Sequence, residues 1–164
     1  MFHIVLVEPE IPQNTGNIAR TAAATGCVLH LVRPLGFELS DKYLKRAGLD
    51  YWQFVKVLTH DCFDDVLRSA DEEAKFYYFT TKAPRAYTEA QFYAGDYLVF
   101  GKETKGLDEE LLVKNKEQCL RIPMLEDTRS LNLSNSVAVA VYEGLRQNGF
   151  ENLKESGNLH RLKW

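Results

Sequence analysis

Asn14, Asn17 and Arg20 follow one another at three-residue spacing, just after a stretch stiffened by Pro9 and Pro12. On a helix this spacing lines the three side chains along one face near its N-terminus. Two amides and a guanidinium there make a hydrogen-bonding surface suited to phosphate or ribose. The same residues equally describe a capped surface helix, with Asn14 as N-cap and a solvated arginine. A second cluster runs Gly101-Lys102-Glu103-Thr104-Lys105-Gly106 and follows an apolar stretch. Its glycines let the backbone approach a ligand closely. It is not a Walker A loop, because Leu107-Asp108 stand where Lys-Ser/Thr is required, and it lacks the G-x-G-x-x-G fingerprint. A plain turn from strand to helix accounts for it as well.

The third segment, Ile122–Arg146, is the expected functional centre. Ile122, Met124 and Leu131 offer apolar walls, and Ser130, Ser134 and Asn135 offer short hydrogen-bonding groups. An adenine ring needs that mixture of apolar faces and a few polar edge contacts. Beyond it, Leu133, Val137, Val141 and Leu145 recur at spacing four as a core stripe. Asn135, Tyr142 and Arg146 fall on a second face, near the small side chains of Ala138 and Val139, which fits a partner subunit or a substrate.

Short apolar runs alternating with helical periodicity must position these loops. The pattern predicts strands at Ile4–Val7, Val28–Val32, Val55–Thr59, Lys75–Thr80, Tyr97–Gly101 and Cys119–Ile122. Helices are expected at Thr15–Thr25, Asp41–Ala47, Cys62–Ser69, Asp108–Lys114 and Leu133–Gln147. Such alternation predicts an α/β fold with a largely parallel sheet flanked by helices. In sheets of this kind ligands gather on loops beyond the carboxyl ends of the strands, and the three clusters follow strands one, five and six.

The chain of 164 residues has room for one domain, with residues 149–164 reading as a polar C-terminal extension. No apolar run approaches ~20 residues, so no membrane-spanning helix and no membrane partner are expected. The opening Met1-Phe2-His3 leads straight into an apolar run without a leader pattern, and a cytoplasmic protein is expected. Cys27, Cys62 and Cys119 are odd in number and far apart, and the four histidines are scattered. Neither a metal site nor a disulfide framework follows from them; buried or partly buried reduced thiols do. A net charge of −3 argues against non-specific coating of nucleic acid. Local basic surface remains available at Lys42-x-x-Lys45-Arg46, Lys82-x-x-Arg85 and His160-Arg161-Leu162-Lys163.

Read together, Asn14-Thr-Gly-Asn-Ile-Ala-Arg20, Leu98-Val-Phe-Gly-Lys-Glu-Thr-Lys-Gly-Leu107 and Ile122-Pro-Met with Ser130-Leu-Asn-Leu-Ser-Asn135 and Tyr142-Glu143 resemble the three motifs of the SPOUT methyltransferases. The likeness is greatest to the branch that methylates the wobble nucleotide of tRNA. Pro34-Leu-Gly-Phe37 and Arg46-Ala-Gly-Leu-Asp-Tyr51 extend it, so that about residues 1–149 are covered. The resemblance implies an α/β sheet whose C-terminal part forms a deep trefoil knot, against the general rule that chains do not thread. It further implies a homodimer, tRNA as partner, and S-adenosyl-L-methionine held among the knot loops, with no metal. By motif position, Phe79, Gly101, Ile122 and Ser130 look like cofactor contacts. Arg20, Asn135 and Tyr142 look like the catalytic set, with Tyr142 equally able to anchor a subunit interface.

The reaction so implied is 2′-O-ribose methylation of cytidine or uridine 34. An ordinary arginine is a poor base, with a pKa above ~12. Arg20 is therefore expected to orient a substrate phosphate or stabilise developing alkoxide. Two other readings stay open at this point: a SPOUT enzyme acting on another tRNA or rRNA position, and a non-catalytic knotted RNA-binding protein.

Overall fold

The computed structural model describes residues 1–38 and 52–164. The expected helix Asp41–Ala47, the basic cluster at Lys42, Lys45 and Arg46, and the stretch Arg46–Tyr51 lie outside the described residues.

Strands β1 (His3–Val7), β2 (Val28–Val32), β3 (Val57–His60), β4 (Phe76–Phe79), β5 (Tyr97–Phe100) and β6 (Cys119–Leu120) form one six-stranded sheet. Its order is β3-β2-β1-β5-β4-β6, and every neighbouring pair is parallel. Helices α1 (Pro12–Thr25), α2 (Phe63–Ser69), α3 (Glu109–Lys114) and α4 (Leu133–Gln147) cover it. This is the expected α/β architecture.

Both sheet faces are buried, which is why the strands read as nearly continuous apolar runs. Successive side chains point to opposite faces. Ile4, Leu6, Leu29 and Leu98 meet Ile18 and Ala19 of α1 and Val137 and Val141 of α4. Val5, Val32, Tyr78 and Val99 share the other face with Val66 of α2 and Leu112 of α3. Each such aliphatic side chain stabilises the fold by about 1.5–3 kcal/mol relative to exposure.

Element boundaries differ from expectation where tertiary contacts decide them. α1 starts at Pro12, three residues early, because a proline at the first helical position loses no helical hydrogen bond. Asn14 thus sits inside the first turn and is not the N-cap; Ile11 occupies that position without a side-chain cap. β3 is displaced to Val57–His60, where Leu29 N–H donates to Lys56 O and Arg33 N–H to His60 O. β6 ends at Leu120 rather than Ile122. Arg121 turns instead into the loop after β4, donating to Arg85 O at 2.8 Å and accepting from Tyr87 N–H at 2.9 Å. α4 has the expected limits, and Asn132 caps it by accepting from Ser134 N–H.

Cys27 and Cys119 are buried free thiols as expected, whereas Cys62 is exposed at the N-terminus of α2. Among the described residues no helix is long and apolar enough to cross a membrane, and no group of side chains is arranged to hold a metal ion. After α4, Phe150 and Leu153 pack on the first core, while residues 154–164 are exposed.

Candidate functional site

The strand order reverses between β1 and β5, and a parallel sheet opens a crevice at such a point. A cavity of about 470 Å³ lies there, built from the loops after β1, β4, β5 and β6. That volume falls in the range that encloses a cofactor-sized molecule. Phe79, Gly101, Ile122 and Ser130 all line it, as do the expected apolar walls Met124 and Leu131. Ser134 and Asn135 do not. Ser134 is buried and donates to Asn132 Oδ1 at 2.6 Å, so its hydroxyl serves the helix cap rather than a ligand.

Gly101 is required by how tightly the second loop returns on itself. A Cβ there would lie 2.1 Å from Gly106 C and 2.3 Å from Leu107 N, both backbone atoms. The turn is closed by Gly106 N–H donating to Lys102 O at 2.8 Å, with Gly106 at φ 72°. Only glycine adopts that left-handed conformation at little cost.

Three loops far apart in sequence are clasped by one polar network. The Glu103 carboxylate accepts from Glu10 N–H (2.8 Å), Ile11 N–H (3.2 Å) and Asn14 Nδ2 (2.9 Å). It supplies the negative charge that favours a helix N-terminus, in place of the missing cap of α1. Glu10 returns the contact, accepting from Thr104 N–H and Thr104 Oγ1, each at 3.1 Å. Asn14 then accepts from Asn132 Nδ2 at 3.0 Å, bringing in the third loop. Lys102 pairs with Glu8, and that carboxylate holds its ammonium above the usual lysine range. Glu8 leaves β1 at φ 52°, a strained conformation for a non-glycine residue. Such strain persists only where neighbours over-determine it, and here the Lys102 contact and Glu8 N–H donating to Val32 O do so.

Sequence reasoning assigned no role to Glu103 or Asn132. A lone carboxylate inside a glycine-rich, lysine-flanked loop was the available signal for Glu103. Asn132 had only the general preference of asparagine for helix N-caps.

Charge in the cavity contrasts with charge overall. Lys82, Lys102, Lys105 and Arg129 line it with a single carboxylate, Glu103, although the whole chain carries −3. Lys102 is engaged by Glu8, and Lys82 by Glu109 at 2.5 Å. Lys105 and Arg129 are the cavity cations that make no ion pair among the described residues, and they are the groups there able to attract a polyanion.

The expected catalytic residues stand apart from the cavity walls. Arg20 is exposed on α1, roughly 9 Å along the axis from Asn14 at 1.5 Å per residue. Asn14 is buried while Asn17 and Arg20 are exposed, so the polar stripe runs outward from the clasp. Asn135 and Tyr142 are exposed on α4, on the side away from the core stripe, with Val139 between them. Arg146, on the same side, is held by Glu143 through two 2.9 Å hydrogen bonds.

Known proteins are similar to this chain in sequence and fold. A tRNA (cytidine(34)-2′-O)-methyltransferase of Saccharophagus degradans is 52% identical over 155 residues, covering 94% of this chain and 100% of that protein. A solved structure described as giving insight into the 2-OH methylation of C/U34 on tRNA is 50% identical, with a TM-score of 0.85 over 92% of this chain and 98% of that one. The SpoU methyltransferase AviRb from Streptomyces viridochromogenes, solved with AdoMet, is 21% identical. It has the same fold, with a TM-score of 0.78 over 93% of this chain and 58% of that chain. Residues 1–142 match the model of the SpoU rRNA Methylase family, and the chain belongs to that family.

Proposed function

We propose that this protein is an S-adenosyl-L-methionine-dependent methyltransferase acting on the ribose 2′-oxygen of cytidine or uridine 34 in the anticodon loop of tRNA. The observation that carries the reading is the cavity itself: apolar walls and a glycine-permitted close approach of backbone, beside the exposed cations Lys105 and Arg129. Relatives of about half identity named for that reaction support the choice of nucleotide.

The cavity fits the cofactor. Phe79, Ile122 and Leu131 offer faces for an adenine ring, Ser130 a hydroxyl for its polar edge or the ribose, and Gly101 the clearance for a close backbone contact. The bound cofactor supplies a methyl group on a positively charged sulfur, whose departure leaves a neutral thioether. No general acid is therefore needed, and the protein's task is to align the ribose oxygen and dispose of its proton. Arg20 orients the neighbouring phosphate and stabilises the developing alkoxide. Asn135 and Tyr142 complete the RNA-facing surface of α4.

In this reading residues 1–164 are one catalytic domain with 149–164 as an extension, working in the cytoplasm as a homodimer. The exposed Val139 and Tyr142 side of α4 supports a subunit contact. We further propose that the C-terminal part is threaded as a trefoil knot. The resemblance of its motifs to the SPOUT enzymes supports that path, and Arg121 sets the chain after β6 against the loop after β4.

Mass spectrometry of oligonucleotide fragments of tRNA from a deletion strain, before and after incubation with protein and S-adenosyl-L-methionine, locates the methylated ribose and tests the proposal. A methyl group on ribose 34 is expected. Modification at another tRNA or rRNA position overturns the wobble assignment, and cofactor binding without any modification overturns the enzyme reading.

A further inference from the structure

Away from the cavity, three histidines form a continuous row across β1, β2 and β3. His3 Nδ1 lies 2.8 Å from His30 Nε2, and His30 Nδ1 lies 3.0 Å from His60 Nε2. His30 is 1% exposed, and its two neighbours are partly buried. Tyr97 of β5 stacks on His3 at 4.3 Å and tilts against His30 at 5.4 Å, while His30 and His60 stack at 5.2 Å. Among the described residues, the charged groups facing the row are the Met1 α-amino group, Lys56 before β3 and Asp71 after α2. Tyr97 is the other titratable neighbour. Among the described residues no carboxylate hydrogen-bonds any of the three rings.

Counting protons fixes what the row tolerates. Six ring nitrogens include four in the two N···N contacts, and each contact holds one proton. Two outer nitrogens remain, so an intact row carries at most four protons, one more than three neutral imidazoles. A single added proton at an outer nitrogen breaks nothing. A second must place two hydrogens between nitrogens 2.8–3.0 Å apart and a second charge beside the first. Burial, then the adjacent His3 and His60, depress the pKa of His30 to about 3. Burial and the N-terminus lower that of His3.

The row sits where loss of one contact has a local consequence. Among the described residues β3 is an edge strand, paired in the sheet with β2 alone. We propose that the His3–His30–His60 row is an acid-sensitive latch that holds β3 on the sheet while it carries at most one net charge, and releases that edge when a second proton arrives.

The sign follows from linkage. Freed histidines take up protons at an ordinary pKa of about 6.5, whereas the closed row accommodates one added proton and excludes a second. The open state therefore binds more protons, so latch stability is complete above about pH 6.5 and declines as pH falls below it. Each extra proton taken up on opening weakens the latch about tenfold per pH unit.

Amide hydrogen exchange by NMR between pH 7.5 and 5.5, corrected for intrinsic rates, tests this on the intact chain. Protection of Leu29 and Arg33, whose N–H groups donate to Lys56 O and His60 O, is expected to fall about tenfold or more per pH unit below 6.5. Amides between β4 and β5 should hold their protection. In His60→Gln the glutamine still accepts from His30 but takes no proton, and the fall should be shallower by about tenfold per pH unit. An equal fall in that variant, a flat profile in the wild type, or parallel loss across β4 and β5 overturns the latch. Should the variant not fold, 15N titration of the wild-type imidazoles decides. Two imidazolium rings in the row with β2–β3 protection intact overturns the proposal, and no more than one supports it.

Discussion

Asn132 donates to Asn14 across 118 residues of sequence, and Asn14 donates in turn to Glu103, so one buried amide ties three loops together. Asn14→Ala removes both bonds and leaves the Glu103 carboxylate with its backbone donors alone. Hydrogen bonds to charged groups contribute about 1.5–3 kcal/mol and neutral ones about 1. A stability loss of about 2 kcal/mol is expected by urea unfolding. Calorimetry should show weaker S-adenosyl-L-methionine binding as the loops lose their common support. Unchanged affinity would detach the clasp from the pocket.

Gly101→Ala tests the return of the second loop. The added methyl group meets backbone, which cannot swing aside as a flexible side chain can. Overpacking of this kind typically costs about 1–3 kcal/mol. Cofactor binding should fall by at least about tenfold in titration calorimetry, since Gly101 and Gly106 both line the cavity. Wild-type affinity in the folded variant speaks against any close contact at this loop.

Arg20→Lys separates orientation from charge. Lysine retains the positive charge but not the planar two-pronged donor set. Because Arg20 is not among the cavity-lining residues, cofactor affinity should hold while single-turnover methylation slows by about 10²-fold, the scale of losing one transition-state donor. Near-full activity would remove the guanidinium from the mechanism.

Tyr142 offers two roles that one pair of variants distinguishes. Its ring is 48% exposed beside Val139, so an interface anchor loses its apolar area in Tyr142→Ala and keeps it in Tyr142→Phe. Sedimentation should show monomer for the alanine variant and dimer for the phenylalanine variant. A Tyr142→Phe dimer with wild-type methylation would assign the ring, and not the hydroxyl, to function. Dimer retained in Tyr142→Ala would place the interface elsewhere.

Much of this was legible in the chain itself. The apolar runs fixed six strands because parallel strands buried on both faces must be apolar at nearly every position. The limits of α4 were readable to the residue, since the Leu133-Val137-Val141-Leu145 stripe has one face to bury. Glycines at 101 and 106, flanked by charge, left a close-approach loop and a plain turn both open, and of the residues singled out, Phe79, Gly101, Ile122 and Ser130 line one cavity while Ser134 and Asn135 do not.

Tertiary structure alone decided which residues hold those loops in place. Neither Glu103 nor Asn132 carries a local pattern naming its partner, because hydrogen bonds over 89 and 118 residues follow from how the sheet is ordered. The short β6 and the exposure of Cys62 have the same origin: local propensity is worth tenths of a kcal/mol per residue, and packing overrides it. Four histidines scattered through the sequence gave no sign of a row. Three of them meet only because β1, β2 and β3 lie side by side, which periodicity within a strand cannot foretell.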